Sequence, residues 1–292
     1  MNGQGGIMIY VSSACVKEKS IAEVIKQLAG KGIKNIELSG GTDYYCGIMQ
    51  DLEDLKKTYH LNYACHAYFP PPPVPFVVNL ASCNDKIYRQ SLEHYIQCIE
   101  MMKSLECRVL SIHAGFLVEI NTEEIGHKVS SKTVYDEEKA YDRFCTAYEH
   151  IAELCKKNNM DFFLENNVLS AENYEEFGCH NYMMMTDYES IRKMQRQLDF
   201  HLLLDLGHLH VSANTLGLNY SEQCRELTEY VKWIHVSENN GKVDGHKPLR
   251  ADSMIMEEFK KMYRSGMDVT LETVGNMDEI LASMELLKME KK

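Results

Sequence analysis

Eight short apolar segments, separated by longer stretches with helical periodicity, run along the whole chain and constrain its fold more than any other feature. The segments are almost continuously apolar, which is typical of parallel strands that are covered on both faces. They span residues 7–12, 35–39, 61–68, 108–115, 161–167, 201–207, 231–238 and 268–275. The pattern predicts an α/β fold, a (β/α)8 TIM barrel in which residues 1–292 form a single domain. In such a barrel residues 7–11 pair with residues 268–272. The competing fold, a doubly wound open sheet, is disfavoured because no Gly-rich phosphate loop follows the first strand.

Amphipathic helices are predicted between these strands. The first has Ser20 as a candidate N-cap with Glu23 three residues later, which is the spacing of a capping box, and it ends near Gly30 and Gly32. Further helices are predicted over residues 84–106, 136–158, 187–198, 220–230, 252–266 and 276–289. The sequence PPPPVPF at 70–76 predicts a stiff extended loop after the third strand.

Composition limits the classes of partner and compartment. The 292-residue chain has a formal net charge of −12 and lacks a cluster of lysine and arginine, so nucleic acid is not the expected partner. The ten cysteines form no CxxC pair, which favours a reducing cytoplasm. No apolar run approaches the ~18 residues of a membrane span, and the N-terminal stretch does not have the pattern of a signal peptide.

Acidic or imidazole side chains stand at the ends of seven of the eight predicted strands. They are Glu37, His66, His113, Glu165, Asp205 with His208, His235, and Glu272. Because the carboxyl ends of barrel strands share one rim, these side chains are expected to lie together. One such residue is usually a hydrogen-bonded part of the scaffold, but seven on one rim require a cation or a substrate to satisfy them.

The loop after the seventh strand adds a D-x-H pair, Asp244 and His246. Mixed carboxylate and imidazole ligands suit zinc or manganese, with cobalt or iron as alternatives. No cysteine occupies these positions, which argues against a structural zinc site. His210 is not expected to join the site.

Seven short motifs occur in a characteristic order. They are NIEL on strand two, NLAS at 79–82, IHAG on strand four, LEN on strand five, DLGH on strand six, HVSENNGKVDGH on strand seven and LET on strand eight. Together they resemble the xylose isomerase-like TIM-barrel superfamily, which includes sugar-phosphate isomerases and epimerases as well as endonuclease IV. The resemblance extends over nearly the whole chain.

The resemblance implies two alternative sets of metal ligands. Ketose 3-epimerase-like members hold one divalent ion with a quartet that matches Glu165, Asp205, His235 and Glu272. Endonuclease IV-like members bind three zinc ions, and the additional positions match His66, His113, His208, Asp244 and His246. All nine residue types are present.

The first hypothesis is therefore a divalent-metal-dependent isomerase or epimerase that acts on a sugar or sugar phosphate. Glu165 and Glu272 would remove and return a proton beside a carbonyl group, and His208 would hydrogen-bond a substrate oxygen if it is not a ligand. Further substrate contacts are expected from Glu37, His66, Tyr68 and Lys247. The superfamily also suggests a homo-oligomer.

Two alternatives remain open. The first is an endonuclease IV-like zinc phosphodiesterase, in which Glu165 bridges two ions. It is disfavoured because the segment after strand five, NVLSAENYEEFGCHNYMMM, lacks the glycine-rich recognition sequence, and because the loop after strand three is proline-rich. The second is a barrel that binds a metal or ligand without turnover.

Overall fold

The computed structural model describes residues 8–130, 133–264 and 266–289, and its centre is a closed barrel of eight parallel strands. The strands are β1 (Ile9–Ser12), β2 (Asn35–Leu38), β3 (Asn62–His66), β4 (Val109–His113), β5 (Asp161–Glu165), β6 (His201–Asp205), β7 (Val231–Val236) and β8 (Asp268–Leu271). Each strand pairs with its neighbour in chain order. The predicted TIM barrel is confirmed.

The barrel closes where the first strand meets the last. Residues 9–11 of β1 pair in parallel with residues 269–271 of β8, which confirms the predicted pairing of the first strand with the last. Ile7, the predicted start of the first strand, lies outside the described residues.

Ten α-helices surround the barrel in the described part of the chain. They are α1 (Ile21–Gly30), α2 (Ile48–Tyr59), α3 (Asp85–Ser104), α4 (Glu137–Lys157), α5 (Ala171–Glu176), α6 (Tyr188–Gln195), α7 (Leu206–Thr215), α8 (Tyr220–Leu227), α9 (Met254–Met262) and α10 (Met277–Met289). None of the helices in this part of the chain has the length and apolarity needed to cross a membrane.

The predicted helices are present with shorter bounds, and three were not predicted: α2, the short α5 and α7. The strand predicted over 201–207 is wrong in its last two residues, because α7 begins at Leu206 directly after β6. Ser265, within the helix predicted over 252–266, lies outside the described residues. Residues 70–76 form no helix or strand, as predicted.

The capping box predicted at the start of α1 does not form. Ser20 is the N-cap residue, but its side chain makes no capping hydrogen bond. The Glu23 carboxylate instead accepts a hydrogen bond from Lys26 at 2.8 Å on the exposed face of the helix. Glu23 therefore forms an ion pair with Lys26, one turn along the helix, instead of a capping box with Ser20.

Two layers of side chains fill the barrel interior. The lower layer is apolar and consists of Tyr10, Ala64, Phe163, Leu203 and Trp233. Side chains two residues apart on a strand share a face. The residues two positions after Ala64, Phe163, Leu203 and Trp233 therefore also point inward, and they form the upper layer. Those positions are His66, Glu165, Asp205 and His235. An apolar plug therefore supports a layer of ionisable side chains at the carboxyl ends of the strands.

Candidate metal centre

The four residues of the predicted quartet converge at the carboxyl end of the barrel. Nδ1 of His235 lies 3.4 Å from Oε1 of Glu165 and 3.4 Å from Oε1 of Glu272. Ligand atoms of Asp205, His235 and Glu272 lie within 4.8 Å of one another. Glu165, Asp205 and His235 are completely buried, and the Glu272 side chain is 11% exposed. Glu165 and Glu272 therefore approach the same nitrogen of His235, and Asp205 lies beside His235 and Glu272.

Glu165 is at the centre of a larger cluster because its two carboxylate oxygens face different histidines. Oε2 lies 3.3 Å from Nε2 of His66 and 3.4 Å from Nδ1 of His113, and these two rings approach each other at 3.1 Å. Oε1 lies 3.5 Å from Nδ1 of His208. The Glu165 carboxylate therefore contacts His235, another member of the quartet, through Oε1 and the His66–His113 pair through Oε2.

The D-x-H pair of the β7 loop completes the cluster. Oδ2 of Asp244 lies 3.2 Å from Nε2 of His208 and 2.9 Å from Nε2 of His246. Nδ1 of His246 lies 3.9 Å from Oε2 of Glu272, at the margin of an ion pair. All nine side chains implied by the larger ligand set are thus brought together.

Three of the histidines have one ring nitrogen within hydrogen-bond distance of a group that orients the ring. The partners are the Ser111 hydroxyl for His66 at 2.8 Å, the Asn166 carbonyl for His208 at 2.9 Å and the Glu37 carboxylate for His235 at 3.1 Å. Metal-ligating histidines commonly use one ring nitrogen in this way, which fixes the ring and presents the other nitrogen to the ion.

The junction between β6 and α7 positions Asp205 and His208. Asp205 is the N-cap of α7, and its Oδ1 accepts a hydrogen bond from the backbone N–H of His208 at 2.6 Å. Asn166 exchanges two hydrogen bonds with the Asp205 backbone. A Cβ at Gly207 would lie 3.1 Å from Oδ1 of Asp205, so the glycine leaves room for the carboxylate.

The donor atoms of the cluster fit a divalent cation. Several of them are buried without a hydrogen-bond partner among the described residues: both carboxylate oxygens of Glu165, Oδ2 of Asp205, Nδ1 of His235 and Oδ1 of Asp244. Buried polar groups are rarely left unsatisfied, and buried carboxylates require a compensating charge. Imidazole and carboxylate ligands without cysteine suit zinc, manganese, cobalt or iron.

Burial and close charges push the pKa values of the cluster in opposite directions. Burial lowers the pKa of both His66 and His113 to about 4. Burial also acts to lower the pKa of His235, but the carboxylates of Glu37 and Glu272 overcome it and raise that pKa well above its usual value. Burial raises the pKa of Glu272 to about 8. In the absence of a cation these groups must share protons to neutralise one another.

The predicted substrate-binding residues lie in different places. Glu37 is buried beneath the cluster, against His235, and does not face the space above it. Tyr68 lines that space, its ring centroid 6.0 Å from that of His113, and burial raises its pKa to about 12. Lys247 is exposed, its backbone pairs with that of Glu238, and it is not among the residues that line the cavity. His66 belongs to the ligand cluster.

A cavity of about 760 Å³ opens above the cluster. His113, His208, Asp244 and His246 form its floor, and the loops that follow β4, β5 and β7 form its walls. His210 is not among the residues that line this cavity, and its Nδ1 lies 2.9 Å from Oδ1 of Asn239.

Sequence reasoning missed the residues that orient the ligands. Ser111 directly precedes the motif IHAG and Asn166 is the last residue of the motif LEN, but nothing in their spacing indicates which histidine they contact. Thr270 was missed for the same reason, and its hydroxyl donates to Glu37 at 3.1 Å.

The model of the family described as xylose isomerase-like TIM barrel matches residues 25–289. The chain belongs to that family. An uncharacterized protein of Methanocaldococcus jannaschii, MJ1614, is 22% identical over 245 residues, which cover 84% of this chain and 82% of that protein.

Solved structures of sugar epimerases share the fold. A D-tagatose 3-epimerase-like protein superposes with a TM-score of 0.70 at 18% identity, over 97% of this chain and 96% of the other. D-allulose 3-epimerase from Methylomonas sp., in complex with D-allulose, gives 0.65 at 12% identity and covers 98% of both chains. The TTHB071 protein from Thermus thermophilus, soaked with ZnCl2, gives 0.61 at 14% identity, over 98% and 97%. At these identities the likeness describes the fold.

Proposed function

We propose that the protein is a divalent-metal-dependent epimerase or isomerase that acts on a sugar. The observation that carries the proposal is the convergence of Glu165 and Glu272 on the same nitrogen of His235, with Asp205 beside them, at the carboxyl ends of the strands. Active sites of TIM-barrel enzymes lie at this face. The sugar epimerases that share the fold agree with this choice of substrate class.

The proposed chemistry is the transfer of a proton at a carbon beside a carbonyl group. Glu165, Asp205, His235 and Glu272 would hold the ion, which when bound polarises the substrate's carbonyl and makes the neighbouring proton more acidic. One of Glu165 and Glu272 would take that proton from one face, and the other would return a proton from the opposite face. His208 reaches the cavity floor and would donate a hydrogen bond to a substrate oxygen.

Charge within the cluster supports distinct roles for the two glutamates. Burial opposes ionisation of Glu165, but His113, His235 and His66 overcome it and hold its pKa well below the usual value. Burial instead dominates at Glu272 and raises its pKa. Paired carboxyl groups whose environments differ in this way are common in acid–base catalysis.

A second candidate, a phosphodiesterase with several zinc ions, is favoured by one specific observation. The two oxygens of Glu165 face separate groups of histidines, and His208, Asp244 and His246 form a further group. A bridging carboxylate between separate ligand groups is the arrangement that a multinuclear site requires.

Counting the bound ions tests both candidates. Elemental analysis of purified protein should find about one divalent ion per chain if the site performs proton transfer, and two or three if it hydrolyses phosphodiesters. The second result, together with tight binding to abasic duplex DNA and a steep loss of affinity with added salt, would replace the proposed function with the hydrolase.

A further inference from the structure

The cavity above the ligand cluster has an apolar wall that the proposed chemistry does not use. Phe116, Ile120, Ile125 and Val129 line it from the loop after β4, and Val243 lines it from the loop after β7. Ile125 is 45% exposed and Val243 is 52% exposed, although both are large apolar side chains. Two separate loops therefore present apolar surface to the same space.

One side of this wall, formed by Phe116, Ile120 and Val129, is anchored to the body of the protein. Phe116 and Val129 pack with Val77, Val118 and Phe177 in an apolar cluster of their own, distinct from the main core. A bound group would therefore meet a largely preformed surface, which is the usual state of a small-molecule site.

The charged side chains of the cavity do not form an anion site. Away from the ligand cluster, the described residues that line the cavity include one lysine, Lys128, one histidine, His127, and no arginine. The Lys128 ammonium is paired with Glu176 at 2.8 Å. Glu124, Glu172 and Asp244 also line the cavity. A phosphate group away from the cluster would lack the cations that such groups normally bind.

The cavity is also larger than a single sugar ring requires. Its volume of about 760 Å³ falls in the range of pockets that hold drug-sized ligands. Because the ligand cluster forms the floor and the apolar side chains form a wall, one molecule can contact both.

We propose that the substrate is a neutral sugar derivative with an apolar substituent, an aryl or alkyl group, that lies against this wall while the sugar contacts the cluster. The inference rests on the proposed function only in assigning a sugar to the part of the substrate that contacts the cluster. It excludes a sugar phosphate whose phosphate points away from the cluster, and it assigns the wall residues Ile125 and Val243 to substrate specificity.

The first test uses metal-directed probes that contain no sugar. Acetohydroxamate and 3-phenylpropionohydroxamate carry the same chelating group, so they differ only in the apolar tail. Their Kd values for the metal-loaded protein should differ by about tenfold or more in favour of the phenyl probe, as expected for burial of one aromatic ring. Calorimetry measures both affinities without any turnover.

Variants of the wall residues test whether the wall causes the preference for the phenyl probe. Ile125→Ser and Val243→Ser should each reduce the preference for the phenyl probe while leaving the Kd of acetohydroxamate unchanged. Leu218→Ser is the control, because Leu218 is 39% exposed and does not line the cavity. It should keep the full preference.

A second test compares phenyl β-D-glucopyranoside and methyl β-D-glucopyranoside as ligands, and the phenyl glycoside should bind more tightly. Equal Kd values for the two hydroxamates, or tighter binding of the methyl glycoside, would overturn the proposal. Conversion of an unsubstituted ketose would in that case still support the proposed function. Failure of both hydroxamates to bind would contradict the metal centre, and both proposals with it.

Discussion

Glu37 holds His235 from below: the two carboxylate oxygens of Glu37 lie 3.1 and 3.2 Å from Nε2 of His235, and both residues are buried. The contact leaves Nδ1 of His235 facing the acidic cluster. Below this contact, the Thr270 hydroxyl donates a hydrogen bond to Glu37 and accepts one from the Trp233 indole N–H at 3.0 Å. The apolar plug of the barrel is thereby connected to a predicted metal ligand.

Glu37→Gln should weaken metal binding without removing a ligand. The amide cannot supply the negative charge that raises the basicity of His235, so metal affinity should fall by about 10- to 100-fold, the usual effect of losing such a partner. Competition with a chelator measures the change. Glu257→Gln is the control, since Glu257 lies on an exposed helix face paired with Lys261. Unchanged affinity in Glu37→Gln would mean that the contact serves folding alone.

Asp205→Asn and His246→Ala should differ in their effect on bound metal. Asp205 is fully buried and belongs to the quartet, whereas the His246 side chain is 32% exposed at the cavity floor. If the quartet holds the functional ion, Asp205→Asn should lose most of the metal and His246→Ala should retain it. Elemental analysis of the two variants decides the question, and loss of one ion from His246→Ala would support the multinuclear alternative.

Gly115→Ala should destabilise the fold by about 1–3 kcal/mol, the usual cost of overpacking. A Cβ at this position would lie 2.5 Å from Cβ of Ala81 and 3.1 Å from a ring carbon of Phe144, so the segment after β4, the loop that contains Ala81 or α4 must shift. Gly30→Ala is the matched control, because nothing lies within 4 Å of a Cβ there. Denaturant unfolding measures both, and equal stabilities would contradict the packing described at the end of β4.

Buried His94 should make the protein less stable as the pH falls. Burial lowers its pKa from 6.5 to about 4, and Nε2 has no hydrogen-bond partner among the described residues. Because the unfolded chain takes up a proton near pH 6.5 and the folded chain only near pH 4, stability is full above pH 6.5. It is lost as the pH falls towards 4, by an amount on the order of 3 kcal/mol.

His94→Gln should remove that part of the pH dependence. Unfolding at pH 7 and pH 4.5 should therefore show a smaller loss of stability in the variant than in the wild type. His150→Gln, at an exposed position on α4, is the control. An identical loss in His94→Gln and the wild type would show that His94 is not the group responsible.

The fold was predictable because the apolar strands carry their own signal, but two of the helices show where that signal fails. Leu206, Leu209 and Val211 of α7 are buried, as is His208, so the helix lacks the polar face that marks an amphipathic segment. α2 begins after Gly47 without a polar N-cap. α7 therefore lacks the periodic pattern, whereas α2 has that pattern in buried Ile48, Leu52 and Leu55 but lacks the start signal on which helix prediction also depends.

The strand-end residues of the candidate site were predictable from the sequence, but the residues that orient them were not. Strand ends meet at one rim of a barrel, so His66, Glu165 and His235 could be expected to lie together. Their partners depend on the register between strands and on side-chain rotamers, which spacing does not reveal. The expectation that Glu37 contacts substrate illustrates the difference, since it lies at a strand end but is buried against His235 and does not line the cavity.

Deuterium incorporation from heavy water tests the proposed proton transfer most directly. Metal-loaded wild-type protein, incubated with candidate ketoses, their epimers and their aryl-substituted derivatives, should introduce deuterium at the carbon beside the carbonyl group. Glu272→Gln should slow this exchange by about 10² to 10⁴, the usual contribution of a positioned acid or base. Metal-dependent cleavage of an abasic-site oligonucleotide, with neither exchange nor conversion in any of these sugars, would contradict the account.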